Sequence, residues 1–477
     1  MGQPRYGITW QTPQSGTSQR RPSPETIRKR SASTDQIPKI NIRKPNEHDS
    51  GDSEGQPMPV QLFPTFSKHA NEGAGLKARR LSTSLPDEFW VDYCELNNEF
   101  KASKLFSKRG KTIGKGATAE VTIMARKDAK DCIVAVKEFR GKEKDEAESD
   151  YVKKVKSEYT IAKSLHHPNI VETIRLCTHA GRWNHVMEYC AYGDLFALVE
   201  KGYFKPYSGH YKYEDKICLW KQVLRGVDYL HSHGIAHRDI KLENLLMTQD
   251  GYIKITDFGV SEVFCGEHPG LRAAGGECGK NMGDVRKCQP GICGSLPYIA
   301  PEVLAKNGEY DPRPLDVWSC AIVYITMHFG GPPWHAAKPD QDNFKRFIEG
   351  WDKWKTNHPD GEVVNEEGGW PKCGPLFAVI DPPSLRRLLL KMLNPEPEKR
   401  ITIRDVLTKT FIKGIQCCTP DSLEGDGSCC GQVDATKKGV KASVKAGVLP
   451  KHDHLPPKEH KTPGVLRHRF DMGDGWS

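Results

Sequence analysis

Two stretches of alternating apolar and polar residues stand close together, Val121-Thr122-Ile123-Met124-Ala125 and Ile133-Val134-Ala135-Val136-Lys137. Their period of two predicts neighbouring β-strands, the second ending in a cation. From Tyr151 to Leu165 the composition turns helical. Glu158 falls mid-helix there, with Ile161 and Leu165 three and seven places on along the inward face. Further on, the apolar helical runs Ile217 to Leu230 and Ala321 to Met327 predict the core of a larger, helical unit. Between these runs, Ile235-Ala236, Leu245-Leu246-Met247, Ile253 and Ile255 frame short polar loops. The expected fold is α+β and two-lobed. A small twisted antiparallel sheet with one important helix spans 106–187, and a mainly helical lobe spans 188–413.

The pattern fails at both ends. Residues 1–105 mix Ser, Pro, Gln and basic residues with few periodic apolar positions, and 414–477 are basic, His- and Pro-containing and without a helical stripe. Both read as disordered tails. Composition agrees, because only 37% of the 477 residues are hydrophobic, too few to pack the whole chain. The formal charge of +9 reads as solubility, with no nucleic-acid partner expected. No apolar run approaches the roughly 18 residues that span a bilayer, and no signal peptide opens the chain. The 15 cysteines then read as reduced cytosolic thiols. Tyr6 stands where myristoylation expects Ser or Thr.

Chemistry concentrates in the loops. His237-Arg238-Asp239-Ile240-Lys241-Leu242-Glu243-Asn244 is followed by Asp257-Phe258-Gly259, which supplies a proton acceptor, a cation and two oxygen ligands for Mg²⁺. Phosphoryl transfer needs those groups held in place more than it needs covalent chemistry. Asp239 is assigned to the hydroxyl proton, Lys241 to the transferred phosphate, and Asn244 and Asp257 to the metal. Upstream, Ile113-Gly114-Lys115-Gly116-Ala117-Thr118-Ala119-Glu120-Val121 reads as a loop covering the phosphates of ATP, with Gly114, Gly116 and Val121 at the nucleotide. Ala119 replaces a third glycine, and a strand rather than a helix follows, which disfavours a dinucleotide fingerprint. Lys137 is assigned to the first phosphates and Glu158 to orienting Lys137.

Gly114 to Arg400 resembles a eukaryotic protein kinase with every main landmark in order. His167-Pro168-Asn169-Ile170-Val171, Val186-Met187-Glu188-Tyr189-Cys190, Ala300-Pro301-Glu302, Asp316-Val317-Trp318-Ser319 and Arg400 complete the set. The resemblance implies hinge contacts to adenine from Glu188 and Cys190, Asp194 at the ribose, Met187 as gatekeeper and an Arg400–Glu302 pair. It also implies protein substrates. Lys241 and Ser295 fit the serine/threonine pattern rather than the tyrosine one. Asp194 and Glu243 match positions that grip arginines ahead of the acceptor, or else serve the ribose and a structural bond. More narrowly, Ile255 to Phe264, Gly291 to Glu302 and Glu309 to Trp318 resemble the fungal halotolerance-type kinases. That likeness implies plasma-membrane transporters or their regulators as partners, a cytoplasmic site with peripheral membrane association, and a monomer.

Three departures shape the expectations. Gly291 occupies the usual activating phosphosite, so Arg238 must find another partner and switching should not depend on phosphate there. Cys265, Cys278, Cys288 and Cys293 lack short Cys-x-x-Cys spacing and read as ordinary thiols; so do the Cys417-Cys418 and Cys429-Cys430 pairs. Arg79-Arg80-Leu81-Ser82 and Arg28-Lys29-Arg30-Ser31-Ala32-Ser33 present Ser82 and Ser33 as sites of self-phosphorylation or of an upstream basophilic kinase. The alternative is a pseudokinase-type scaffold, suggested by the missing glycine and phosphosite and opposed by intact Lys137, Asp239, Asn244 and Asp257.

Overall fold

The computed structural model describes residues 86, 88–102, 112–115, 119–129, 132–205, 209–271, 276–419 and 452–458, with the backbone alone at 112–115 and 119. Ser33, Ser82 and Gly116 lie outside the described residues.

The smaller lobe begins with β1 (Tyr93–Glu95), the short α1 (Leu96–Glu99) and β2 (Phe100–Ala102). It continues through β3 (Thr112–Lys115), β4 (Ala119–Arg126), β5 (Ile133–Phe139), α2 (Glu148–Lys163), β6 (Thr173–His179) and β7 (Arg182–Glu188). The sheet runs β1-β6-β7-β5-β4, with β2 and β3 both pairing the far side of β4. All of its pairs are antiparallel except β1 with β6. The two strands expected from alternation lie inside β4 and β5, in a register that sets Val121 opposite Lys137.

Period two then sorts β5 into faces. Val134 and Val136 pack with Leu96, Phe100 and Val186, while Ala135 turns toward Val121 and Met187 on the other side. Lys137 shares the face of Ala135, and α2 packs along it through Tyr151, Val155 and Tyr159 against Phe139. Acids in the first turn of α2 (Glu148, Asp150) and Lys163 in the last complement its dipole.

The sheet therefore starts before residue 106, the expected end of the tail. β1 and β2 are three residues each, too short to show alternation, and their anchorage comes from two side chains, Leu96 and Phe100.

The larger lobe contains α3 (Leu195–Glu200), α4 (Tyr213–Ser232), the short strands β8 (Ile235–Ala236), β9 (Leu245–Met247), β10 (Ile253–Ile255) and β11 (Glu262–Val263), then α5 (Pro301–Ala305) and α6 (Pro312–Phe329). After these come α7 (Asp342–Lys355), α8 (Pro375–Ala378), α9 (Pro383–Met392), α10 (Ile403–Thr408) and α11 (Thr410–Lys413). The two predicted apolar runs lie within α4 and α6. These helices are buried on nearly every side, as core helices are, and Trp220 of α4 donates Nε1–H to the Cys320 carbonyl of α6 at 2.9 Å. Asp311 caps α6 by accepting from the Arg313 N–H at 2.9 Å, and Gly330 ends it with φ +81°. Among the described residues no helix is long and apolar enough to cross a membrane.

Arg400 and Glu302 pair as the motif implies. Arg400 Nη1 and Nη2 reach the two carboxylate oxygens at 2.7 and 3.0 Å, and the guanidinium lies 5.0 Å from the centre of the Trp318 ring. Lysine cannot reproduce that planar fork. Arg400→Lys is therefore expected to cost about 2 kcal/mol, a fall in Tm of about 5 °C by circular dichroism. An unchanged Tm would contradict the assignment.

Two stretches of the expected C-terminal tail are held against the larger lobe. Lys221 Nζ donates to the Ile415 carbonyl at 3.1 Å and Arg225 Nη1 to the Thr419 carbonyl at 2.9 Å, while residues 452–458 lie beside α4 with His454 only 1% exposed. Long side chains reaching from α4 to extended backbone leave no apolar period in the segments they hold.

Candidate active site

Between the lobes lies a cleft with roughly 1010 Å³ of free space, its open side included. Val121 and Ala135 form its roof, Leu246 its floor, and Met187, Glu188 and Cys190 its inner edge. A mostly apolar slot of this size suits a flat ring with a few polar contacts. Asp194 lines it too; its Oδ1 accepts the Ala197 N–H at 2.7 Å and caps α3, and burial pushes its carboxyl up to about 6.

Lys137 projects into the cleft and makes two ion pairs, with Glu158 Oε1 at 2.8 Å and Asp257 Oδ1 at 3.0 Å. The helical spacing of α2 and the parity of β5 together bring Lys137 and Glu158 into contact. Beside them, burial and the Lys137 charge depress the His185 imidazole to about 3, so it adds no second cation.

The catalytic-loop residues gather below. Asp239 Oδ2 lies 3.1 Å from Lys241 Nζ, which also donates to Ser295 Oγ at 2.8 Å; that hydroxyl lies 3.3 Å from Asp239 Oδ1. Asn244 Nδ2 donates to the Asp239 carbonyl at 2.8 Å and to its carboxylate at 3.1 Å. The pairing of β9 with β10 sets Ile255 opposite Leu245, and the Thr256 N–H meets the Asn244 carbonyl at 3.0 Å, so Asn244 stands next to Asp257. Gly294 must remain glycine. At φ +87° its added Cβ would lie 2.7 Å from the Arg238 carbonyl and 3.4 Å from Asp239 Oδ1.

Arg238 and Asp257 adopt φ +63° and +65°, a conformation L-residues keep only when their surroundings enforce it. For Arg238 the enforcing group is Asp316 of α6, fully buried, which accepts from the His237 and Arg238 N–H groups at 2.8 and 2.7 Å and lies 2.9 Å from His231 Nε2. The sequence alone marks Asp316 only as part of a kinase landmark and does not reveal this role.

The partner sought for Arg238 comes from the activation segment, the long insertion running from Asp257 to Glu302. Its Nε donates to the Val260 carbonyl at 2.7 Å, and Nη2 lies 3.7 Å from Glu262 Oε2. The four cysteines of this segment go separate ways: Cys265 to the Gly283 carbonyl, Cys278 to Ser164, Cys288 to Arg238 and Cys293 to Tyr310. The insertion also rests on α2. His268 Nε2 lies 3.2 Å from Ser157 Oγ, the residue before Glu158, and the Gly270 carbonyl accepts from the Trp90 N–H at 3.2 Å. No motif announced these contacts, because each joins residues far apart in the chain.

Of the predicted site residues, Lys137, Glu158 and Asp257 meet directly, Asp239, Lys241 and Asn244 meet directly, and Val121, Glu188, Cys190 and Asp194 line the cleft. Gly114 lies in β3, paired with Val121.

A bilobal fold with this cleft and these two clusters defines a protein kinase domain; residues 107–412 match that family, and the chain belongs to it. Among curated proteins it is similar to the serine/threonine-protein kinase HAL4/SAT4 of Saccharomyces cerevisiae, 36% identical over 315 residues, covering 64% of this chain and 46% of that protein. It is also similar to the nitrogen permease reactivator protein of the same yeast, 37% identical over 339 residues, with 66% and 40% covered. The serine/threonine-protein kinase hal4 of Schizosaccharomyces pombe is 35% identical over 312 residues, with 64% and 43% covered. The chain thus spans less than half the length of these relatives.

Proposed function

We propose that this protein is a serine/threonine kinase that transfers the γ-phosphoryl group of ATP to protein hydroxyls and thereby regulates ion or nutrient transport. The observation that carries the reading is the Lys137–Glu158–Asp257 cluster, which opens into a nucleotide-sized cleft beside Asp239.

The donor set fits Mg²⁺. Asp257 offers a carboxylate, and Asn244, which donates through Nδ2, offers its amide oxygen; both are hard oxygens. ATP with Mg²⁺ supplies the phosphoryl group and the divalent charge that screens it. Lys137, steered by Glu158, neutralises phosphate charge. Asp239 accepts the proton of the incoming hydroxyl, restrained by Asn244 and Ser295. Lys241 offsets charge building on the transferred group.

Glu243 supports a preference for basic peptides. Its Oε2 is buried without a hydrogen-bond partner, and burial pushes its carboxyl up to about 7. A carboxyl raised this way is neutral at pH 6 and charged at pH 8, so the advantage of arginine-containing over neutral peptides should grow as pH rises through about 7. Steady-state KM values for paired peptides measure this, and a preference flat between those pH values would remove Glu243 from substrate binding.

Because Arg238 is held by Glu262 and the Val260 carbonyl, no activating phosphate is required there. Ser261 is buried with its hydroxyl donating to the His237 carbonyl at a long 3.4 Å, and Ser261→Ala is expected to keep kcat within about threefold of wild type, the low end of what one hydrogen bond contributes. Loss of activity on phosphatase treatment, with the lost phosphate mapped to residues 260–294, would contradict this.

The name of one similar protein, the nitrogen permease reactivator, supports the transport reading, and substrates at the cytoplasmic side of the plasma membrane are part of this proposal. Labelled ATP, Mg²⁺ and an arginine-directed peptide library test the activity itself. No transfer under those conditions would favour the scaffold alternative.

A further inference from the structure

Away from the cleft, four ligand-type side chains converge: Cys218 of α4, Cys418 just beyond α11, and His452 and His454 of the C-terminal segment. One ligand atom from each lies within 4.8 Å of all the others. We infer that these residues bind a zinc ion in a closed Cys₂His₂ site that pins residues 452–458 to α4 and to the turn between β9 and β10.

The distances fit an ion better than a bare cluster. The two sulfurs are 3.7 Å apart, far beyond the roughly 2.05 Å of a disulfide. Two thiolates about 2.3 Å from a tetrahedral zinc stand about 3.8 Å apart. His454 Nε2 lies 3.3 Å from Cys218 Sγ, close to the roughly 3.5 Å expected for a nitrogen and a sulfur sharing the same ion. Cys218, Cys418 and His454 are each no more than 1% exposed, and His452 Nδ1 is buried without a hydrogen-bond partner. Four protein ligands leave no open position, which makes the site structural rather than hydrolytic.

The groups behind the ligands have the arrangement that zinc sites use. Asp215 Oδ1 lies 3.2 Å from His454 Nδ1, at ion-pair distance though outside hydrogen-bond geometry, on the side where a carboxylate would direct the other ring nitrogen to a metal. Gln222, one turn after Cys218, aims its amide nitrogen at Cys418 Sγ (3.4 Å) and at Cys218 Sγ (3.7 Å). Its orientation is fixed, since Oε1 accepts from the Ile253 N–H at 2.8 Å and from Asn169 Nδ2 at 3.3 Å. N–H groups directed at sulfur stabilise the thiolate that a metal requires.

A tether also explains why this segment is placed at all. The stretch His452-Asp453-His454-Leu455-Pro456-Pro457-Lys458 has one aliphatic side chain apart from its prolines, too little to order a chain by burial. Yet it is held at several points. Tyr211 donates its hydroxyl to the His454 carbonyl at 3.0 Å, His210 Nε2 lies 2.9 Å from the Leu455 carbonyl, and Gly251 is bare where the His454 Cβ would come within 3.3 Å of an added methyl. Tyr211 also touches Met247 Sδ at 3.6 Å, and Met247 follows Leu246, the floor of the cleft.

The inference does not depend on phosphotransfer, and its test reads metal. Full-length protein purified without chelator from zinc-supplemented cells is expected to carry about one zinc per chain by mass spectrometry of the elements. Cys418→Ser and His454→Gln should each abolish it, while Cys417→Ser, altering the adjacent thiol outside the set, should retain it. Asp215→Asn, which leaves every ligand in place, should weaken zinc binding by about 10- to 100-fold. Cobalt substitution should give the thiolate charge-transfer bands of a two-sulfur tetrahedral site. Wild-type protein with less than about one zinc per ten chains would overturn the inference, as would zinc retained in the Cys418→Ser/His454→Gln double variant.

Discussion

Replacing Asp257 with Asn should lower kcat by about 10³-fold while leaving the fold intact, because the change removes the carboxylate proposed to hold Mg²⁺. The site tolerates the loss structurally. Lys137 keeps Glu158 at 2.8 Å, and the Asp257 side chain is 32% exposed, so no buried charge is stranded. Two measurements separate chemistry from stability. Thermal unfolding without ligand should be nearly unchanged, whereas the stabilisation that ATP with Mg²⁺ gives wild type should largely vanish. A variant within about tenfold of wild-type kcat would show that Asp257 does not hold the metal.

For Asp316→Ala the balance is reversed, with stability suffering first. The wild-type carboxylate accepts from two backbone N–H groups and pairs with His231 at full burial. Its removal leaves those donors without an acceptor and frees Arg238 from the positive φ that shapes the loop before Asp239. The expected cost is about 3–5 kcal/mol, or a fall in Tm on the order of 10 °C. Activity below the new transition should fall as well, since the base loses its fixed position. Unaltered urea unfolding would refute the anchoring role.

What could be read in the sequence follows from how locally each feature is encoded. Asp239, Lys241, Asn244 and Asp257 stand in short loops whose order is itself the chemistry. Glu158 was reachable because helical period and strand parity are local rules, and both pointed inward. The failures share a cause. β1 and β2 are too brief to carry a pattern, Asp316 acts on a loop nearly 80 residues away (79 and 78 to its two backbone donors), and Cys218 meets Cys418 across 200 residues. Spacing rules built on Cys-x-x-Cys had nothing to register in such a constellation. The hold on Arg238 was foreseen as a need, but Glu262 could not be named until the activation segment had a path.

That path has one more implication. His268 against Ser157 and Cys278 against Ser164 brace α2 along a side roughly a quarter-turn or more round the axis from Glu158, and Trp90 is tied by its backbone to the same insertion. In the proposed kinase, the helix that carries Glu158 is therefore held by the chain's own contacts rather than by an added phosphate. A ligand wedged into the Ser157–His268 seam would then press on that helix without entering the nucleotide cleft, which neither residue lines.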